Sequence, residues 1–298
     1  MYEHWLKRLF IFSFLFFLPS VLMCQNGTRA ILLVAEHFAE DGLHEEAITE
    51  YRRALFFGKE KGERSRAYYL MGIEYRELEQ WQKAEQAFEN ALMTVETESL
   101  KAEVTMALAS AYIVSEKPGL ALMSLIPLLQ ETNNDAVYNQ ALLLCVIAEV
   151  KQHNWKQAIL FVDQLAKKNS GTSDSTIVQL RAFLVEAEKQ KPLDPEKAKF
   201  LSTILPGSGQ MYSGDVVNGL HAFALNSINV WVVINNIIQA DYVSAVVYAV
   251  LVTERYYAGN RYHAEQIAIK ANEIMETHLT KTILSVLSKY AGKISLQH

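Results

Sequence analysis

At 298 residues, half of them hydrophobic and a fifth charged, the chain is long and apolar enough for about two folded domains, and its composition excludes a disordered protein. Its net charge of −5 is mild and no dense Lys/Arg stripe is present, which argues against a nucleic-acid-binding surface. Cys24 and Cys145 belong to no C-x-x-C motif or Cys/His cluster, and P-loop, dinucleotide and hydrolase motifs are missing, so we expect no metal, cofactor or catalytic site.

The first 24 residues have the composition of a secretory leader. Lys7 and Arg8 precede an apolar run over 9–18, which Pro19 ends and a short segment up to Cys24 follows. A basic start, about ten apolar residues and a short trailing region are typical of a signal peptide, and the run is short for a span of about 20 residues. We predict a signal peptide over 1–24, with an uncleaved N-terminal anchor and a lipid-modified Cys24 as alternatives.

Between about residues 28 and 168 the same local pattern recurs every 37 residues. Within each copy the apolar and small residues fall at helical spacings, which predicts two amphipathic helices per copy. In the second copy, Gly72 and Ala84 are expected where the two helices cross, with Tyr75 and Phe88 filling the space on either side. One alanine marks the same position of each copy: Ala47, Ala84, Ala121 and Ala158.

This pattern resembles the tetratricopeptide repeat, whose usual period is 34 residues. The second copy agrees best, and the fourth departs most, with Glu149 where an aromatic residue is usual. The three extra residues per copy are expected in the helices or in the loops between hairpins. A further helix from Ser175 to Gln190 is expected to cap the array, which gives a repeat domain over 28–190. An unrelated antiparallel helical bundle is the alternative.

The resemblance implies that the array binds other proteins. Stacked hairpins of this family expose a concave surface lined by the first helix of each copy. A mixed apolar and charged surface there suits an extended peptide or a partner helix, whereas core packing is the alternative for each apolar residue. The residues that the resemblance assigns to this partner-binding groove are Leu32, Glu36, Tyr69, Ile73, Arg76, Met106, Ser110, Ile113, Leu143 and Ile147.

A second, more hydrophobic domain is predicted over 196–298, after the proline pair Pro192 and Pro195. The stretch 206–215 holds four helix breakers within nine residues and predicts a tight turn. The apolar run Val216–Ile238 that follows is long enough to span a membrane. A shorter run over 242–253 is expected to end at Glu254–Asn260, and the tail over 261–290 predicts one or two amphipathic helices, packed on the repeats or lying on a membrane.

Polar residues interrupt the first apolar run, Asn226 among them. Asn218, Asn229 and Asn236 share one helix face, with His221 close to it, and such a stripe can face a partner helix while the rest faces lipid. A buried helical hairpin in a soluble domain is the alternative to a membrane hairpin.

The start of this region resembles small bacterial membrane domains that carry a PGxGQxYxG signature, two hydrophobic helices and a Tyr-x-Gly-Asn-like stretch. The resemblance covers about 65 residues and implies two membrane spans. For Gly207–Gln210 we favour close packing between helices over a ligand-binding turn. The motif residues in this chain are Pro206, Gly207, Gly209, Gln210, Tyr212, Gly214, Tyr257, Gly259 and Asn260.

These features together predict an all-α protein, a tetratricopeptide-like solenoid of helical hairpins followed by a hydrophobic, two-span helical domain. The expected function is that of a non-enzymatic scaffold or adaptor of the bacterial cell envelope. Its repeats would lie in the periplasm and bind a protein partner, and its C-terminal domain would contact membrane lipid. One alternative is a component of an envelope transport or enzyme system with a site at the PGSGQMY turn, and another is a soluble secreted adaptor.

Overall fold

The structure is a computed structural model that describes residues 27–168 and 175–295, with side-chain surroundings described up to residue 290. The predictions for residues 1–24, including the signal peptide and Cys24, lie outside the described residues. Within those ranges the protein is all-α. It divides into two compact units, one comprising the described residues up to Ala182 together with those from Leu287 onward, and the other comprising Phe183–Val286.

The first unit is an array of helical hairpins, which confirms the predicted helical repeats. The first helix of each complete hairpin has 17 residues and the second has 14, and connections of three residues join them. These lengths account for the period of 37. The helices are α1 (27–40), α2 (His44–Phe57), α3 (Lys61–Glu77), α4 (Trp81–Thr94), α5 (Glu98–Val114), α6 (Pro118–Glu131), α7 (Asp135–Lys151), α8 (Trp155–Lys168) and α9 (Ser175–Lys189), which continues into the second unit.

The turn inside each hairpin uses a left-handed backbone conformation at one fixed position. Gly42 has φ +74°, and the three residues that follow it at intervals of 37, Glu79, Glu116 and His153, all have φ +57°. Left-handed backbone costs an ordinary residue roughly 1–2 kcal/mol because its Cβ crowds the following carbonyl oxygen, and glycine avoids that cost. The repeat therefore recurs in the backbone conformation of the turns as well as in the side chains of the core.

Replacing Gly42 by alanine is expected to lower the free energy of unfolding by about 1 kcal/mol, because the new Cβ is strained at positive φ. Gly119→Ala is the matched control, since a Cβ has open space within 4 Å at both glycines but Gly119 lies in helix α6. The control should gain about 0.5 kcal/mol. Urea unfolding followed by far-UV circular dichroism measures both, and equal effects at the two positions would contradict the role of the turn.

The two helices of a hairpin cross at buried pairs whose sizes compensate each other. A Cβ added to Gly72 would lie 2.5 Å from the Phe88 ring, so no side chain fits opposite that phenylalanine. Down the array from the second copy to the fourth, the residue on the first helix grows while its counterpart on the second helix shrinks. The four pairs at this position are Ala35 with Tyr51, Gly72 with Phe88, Ala109 with Leu125, and Val146 with Val162, all of them buried.

The fourth copy keeps the helical pattern despite its departure from the repeat. Glu149 is 7% exposed, and burial raises the pKa of its carboxyl group, while a hydrogen bond with Asn154 opposes that rise. Burial, with the charge of Glu149 as a smaller cause, raises the pKa of the nearby Cys145 thiol to about 12. Cys145 therefore stays protonated at neutral pH and serves the core as a small apolar side chain.

The second unit contains several short helices, one long apolar helix and most of a still longer helix at the end of the described chain. Asp194, Asp215 and Asp241 each cap a helix by accepting a hydrogen bond of 3.1 Å from the backbone N–H three residues later. The helices are α10 (Pro195–Ile204), α11 (Ser208–Tyr212), α12 (Val216–Ile238) and α13 (Tyr242–Tyr248), followed by a π-helical segment (Ala249–Thr253) and α14 (Glu254–Ser295).

Helical conformation continues through Glu254–Asn260, the stretch at which the second apolar run ends in the sequence. The chain passes from α13 through the π-helical segment into α14 without leaving helical conformation, and α14 forms the whole tail as one helix. Gly259 does not break it, since its neighbours are helix-compatible and no proline follows in the tail. Among the described residues, one helix, Val216–Ile238, is long and apolar enough to cross a membrane.

Candidate functional site

The first helices of the hairpins, α1, α3, α5 and α7, carry the ten residues predicted to line a partner-binding groove. Leu32, Ile113 and Leu143 are buried, so their side chains belong to the core, as the alternative interpretation held. The other seven are partly exposed, and the four apolar ones among them also pack against the core: Glu36, Tyr69, Ile73, Arg76, Met106, Ser110 and Ile147.

The charged groups on this face are paired. Arg66 donates to Glu36 over 2.9 Å, and Arg76 donates to its neighbour Glu77 over 3.0 Å. Because both pairs are partly exposed to solvent, each contributes little to stability. The face therefore presents apolar side chains with partly exposed ion pairs beside them.

Tyr69 anchors the middle of this face. Its ring packs at a tilt against Phe88, with the ring centroids 6.1 Å apart. Burial, together with the nearby charge of Glu103, raises the pKa of Tyr69, so its hydroxyl stays protonated and can donate a hydrogen bond to a partner. The Ser110 hydroxyl, by contrast, donates to the Met106 carbonyl of its own helix over 2.9 Å.

In the second unit, the motif residues of the PGxGQxYxG stretch meet those of the Tyr-x-Gly-Asn stretch. The Gln210 amide nitrogen donates to Asn260 Oδ1 over 2.7 Å, and Gln210 Oε1 accepts a hydrogen bond of 2.9 Å from Ser202. Tyr257 donates its hydroxyl to the carbonyl of Thr203. Gln210, Asn260 and Ser202 are all buried, so these bonds tie α10, α11 and α14 together across a polar centre.

Two glycines of the motif allow the close approach of helices, which agrees with the packing interpretation. Gly207 has φ +93°, and a Cβ there would overlap the carbonyl oxygen of Gly219 in α12. A Cβ on Gly209 would overlap the carbonyl oxygen of Ala198 in α10. Gly214 also has positive φ, but a Cβ there would meet nothing within 4 Å.

Beside this polar centre lies a cavity of about 970 Å³. Its walls come from Gln210, the first half of α12, the π-helical segment and the first turns of α14. Leu225 and Leu251 are among its apolar lining residues. No Asp or Glu belongs to the lining within the described part of the chain, and the lining side chains with polar groups are Gln210, Asn218, His221, Asn226, Arg255, Tyr256, Asn260 and His263.

The first unit has an architecture that can be compared with known proteins. The described array is a repeat of helical hairpins that resembles the tetratricopeptide repeat. A solved structure, the crystal structure of YrrB, a TPR protein with an unusual peptide-binding site, is similar over 53% of this chain and 76% of that chain, with 21% identity and a TM-score of 0.43. No family model matches the chain, and no curated protein matches it. A likeness at this level does not extend to a ligand or a partner.

Sequence reasoning missed three residues of the second unit's site. Ser202 bonds Gln210 at the polar centre, and Arg255 and His263 line the cavity. No sequence signal marks Ser202 or His263, because their roles depend on which helices meet. Asn226 and His221 were visible as polar residues within an apolar run, which is the signal that could have indicated a cavity.

Proposed function

We propose that this protein is a non-enzymatic scaffold of the bacterial cell envelope, which binds a protein partner on the first-helix face of its repeats and is tethered to a membrane by its second unit. The observation that carries the proposal is the run of partly exposed apolar residues on successive first helices, with Tyr69, Ile73, Met106 and Ile147 in three consecutive copies. A peptide or helix laid across these helices would bury them together. The leader-like composition of residues 1–24 supports export, with the repeats in the periplasm.

The tether is supported by the surface of α12. Its apolar side chains are exposed along its whole length, including Val217 at 64%, Ile228 at 57% and Ile238 at 76%. A contiguous apolar surface of this kind is rare on soluble monomers and marks a membrane or protein contact. We propose that α12 spans the bilayer and that the apolar run of α13 and the π-helical segment returns beside it, with exposed Val243 and Val250 facing lipid.

The partner surface can be tested by placing a photo-crosslinking amino acid at Ile73 or Met106 in the full chain in cells. We expect both positions to give the same crosslinked adduct. Met93 in α4, which is 80% exposed, is the matched control on a second helix and should give little or none. Adducts of equal yield from all three positions, or adducts from Met93 alone, would contradict a groove on the first helices.

The tether is tested separately by washing membranes with alkaline carbonate. A spanning α12 keeps the protein in the pellet, whereas release into the supernatant would support the soluble adaptor instead. Replacing Ile228 and Ile234 by aspartate should convert retention into release, because a carboxylate is costly near the bilayer centre. Replacing the exposed Val178 and Leu160 of the first unit by aspartate is the control, and it should leave retention unchanged.

A further inference from the structure

The cavity of the second unit is lined by hydrogen-bond donors, and no acidic side chain among the described lining residues pairs with them. Arg255 makes no ion pair among the described residues, and no carboxylate lines the cavity there. His221 and His263 also face it, and an imidazole offers an N–H donor in either protonation state. An arginine and two imidazoles without a counter-charge favour an anionic ligand.

One buried acceptor in the same cavity has no partner. Asn226 is 5% exposed, and its Nδ2 donates to the carbonyl of Ala222 over 2.8 Å. Its Oδ1 accepts no hydrogen bond in the structure. A buried amide oxygen left without a donor costs about 1–3 kcal/mol, so a ligand that brings a hydroxyl donor would recover that energy. The Gln210 amide donates to the carbonyl and Oδ1 of Asn260, and the Asn260 amide donates to the Ser202 carbonyl, so both amides have other partners.

The cavity has both polar and apolar lining residues, distributed along α12 and the helices beside it. Tyr248 donates to Asn229 over 2.9 Å, so the helical course after α13 runs antiparallel to α12, and later residues lie beside earlier turns of α12. Asn218 and His263 therefore lie near the start of α12, while Leu225 and Leu251, which are 51% and 66% exposed, lie farther along it, with Asn226 next to them. These two leucines are continuous with the exposed apolar surface of α12.

We propose that this cavity binds a phosphate ester, namely the headgroup of an anionic phospholipid that carries hydroxyl groups. Arg255, His221 and His263 donate to the phosphate oxygens, Asn226 Oδ1 accepts from a headgroup hydroxyl, and an acyl chain lies along Leu225 and Leu251. That the phosphate belongs to a lipid depends on the proposed membrane tether. That the cavity binds a phosphate group does not depend on it.

The test uses the purified full chain in a neutral detergent, with native mass spectrometry to count retained lipid. We expect one phosphatidylglycerol per chain, and weaker retention of phosphatidylcholine, which has a phosphate but no hydroxyl donor. Arg255→Gln and Asn226→Leu should each weaken phosphatidylglycerol binding about tenfold. The first variant loses a hydrogen bond to a charged group, the second loses a buried acceptor that the ligand satisfies, and either loss corresponds to about that change in affinity. Arg53→Gln, an exposed arginine of the array, is the control of equal charge change and should leave binding unchanged.

Glycerol phosphate and inorganic phosphate, added as competitors, separate the two sources of the ligand. If they fail to displace phosphatidylglycerol at comparable concentrations, the lipid is the ligand; if they displace it equally well, the phosphate site stands with a soluble ester as its ligand. Equal binding by wild type, Arg255→Gln and Asn226→Leu would overturn the proposal. Asn226→Leu removes an unpartnered buried oxygen and should keep the fold, so a loss of binding there is not a loss of structure. If carbonate releases the protein from membranes while phosphate binding is retained, the proposed membrane tether is contradicted and the proposed phosphate site still stands.

Discussion

Gly209→Ala is expected to destabilise the second unit by about 3 kcal/mol or more. The new Cβ would overlap the carbonyl oxygen of Ala198 and lie 2.6 Å from the Ser202 hydroxyl. Backbone cannot move aside as a flexible side chain can, and overpacking of this kind costs about 1–3 kcal/mol. Separating α10 from α11 also breaks the 3.0 Å bond from the Gly209 N–H to Ser202 and the bond from Ser202 to Gln210, each worth about 1 kcal/mol.

Thermal unfolding of the full chain in detergent, followed by circular dichroism and by limited proteolysis, measures this loss. Proteolysis should cut the second unit of Gly209→Ala at a lower temperature than in wild type, while the array stays protected, since the two units are separately compact. Gly259→Ala is the control: a Cβ there meets nothing within 4 Å and the residue is helical, so stability should rise by about 0.5–1 kcal/mol. Unchanged protease resistance in Gly209→Ala would refute the close packing.

The repeats could be predicted from sequence because their causes are local and recur at one spacing. The period follows from two helix lengths and two short connections, and a buried alanine occupies the same position of every copy, as Ala84 does in the second. The left-handed turn position was visible only where it is glycine, at Gly42. In the other copies Glu79 and Glu116 adopt the same backbone because the paired helices impose it, which no residue-level preference predicts.

The groove residues were only partly predictable, because an apolar stripe does not reveal how many neighbours cover it. A first helix inside the array contacts the helices on either side of it in sequence and also the first helices of adjacent copies, as α5 does with α3 and α7. Its apolar surface is therefore covered from several sides. Ile113 falls on the covered side, whereas Ile73 and Met106 remain partly exposed.

The site in the second unit depends on contacts between residues far apart in the chain. Gln210 and Asn260 are 50 residues apart, and in the sequence only the motif resemblance connects them. The cavity needed a further fact, that the chain stays helical after the second apolar run. This places Arg255 on a cavity wall, where an interrupted helix would have left it at the end of a loop.

Phe88→Ala is expected to lower the free energy of unfolding of the array by about 3–5 kcal/mol. The ring is fully buried between the helices of the second hairpin and fills the space that Gly72 leaves open. Removing it creates a cavity that the rigid crossing of α3 and α4 cannot close, so the loss exceeds the transfer energy of the ring. Urea unfolding monitored by circular dichroism measures the change. Met93→Ala, on the exposed side of the same helix, is the control and should change stability by less than about 0.5 kcal/mol.

The pair can be tested for coupling with Gly72→Ala. Alone, this change places a Cβ 2.5 Å from the phenylalanine ring and should cost about 1–3 kcal/mol. With Phe88 replaced by leucine, the pair becomes the alanine and leucine that Ala109 and Leu125 form in the third copy, and Gly72→Ala should then be neutral or stabilising. The effect of Gly72→Ala on stability must change sign in the leucine background, because its cost arises from the phenylalanine ring and alanine is otherwise a better helix former than glycine. A cost that persists in the leucine background would mean that the backbones, and not the side-chain sizes, set the distance between the two helices.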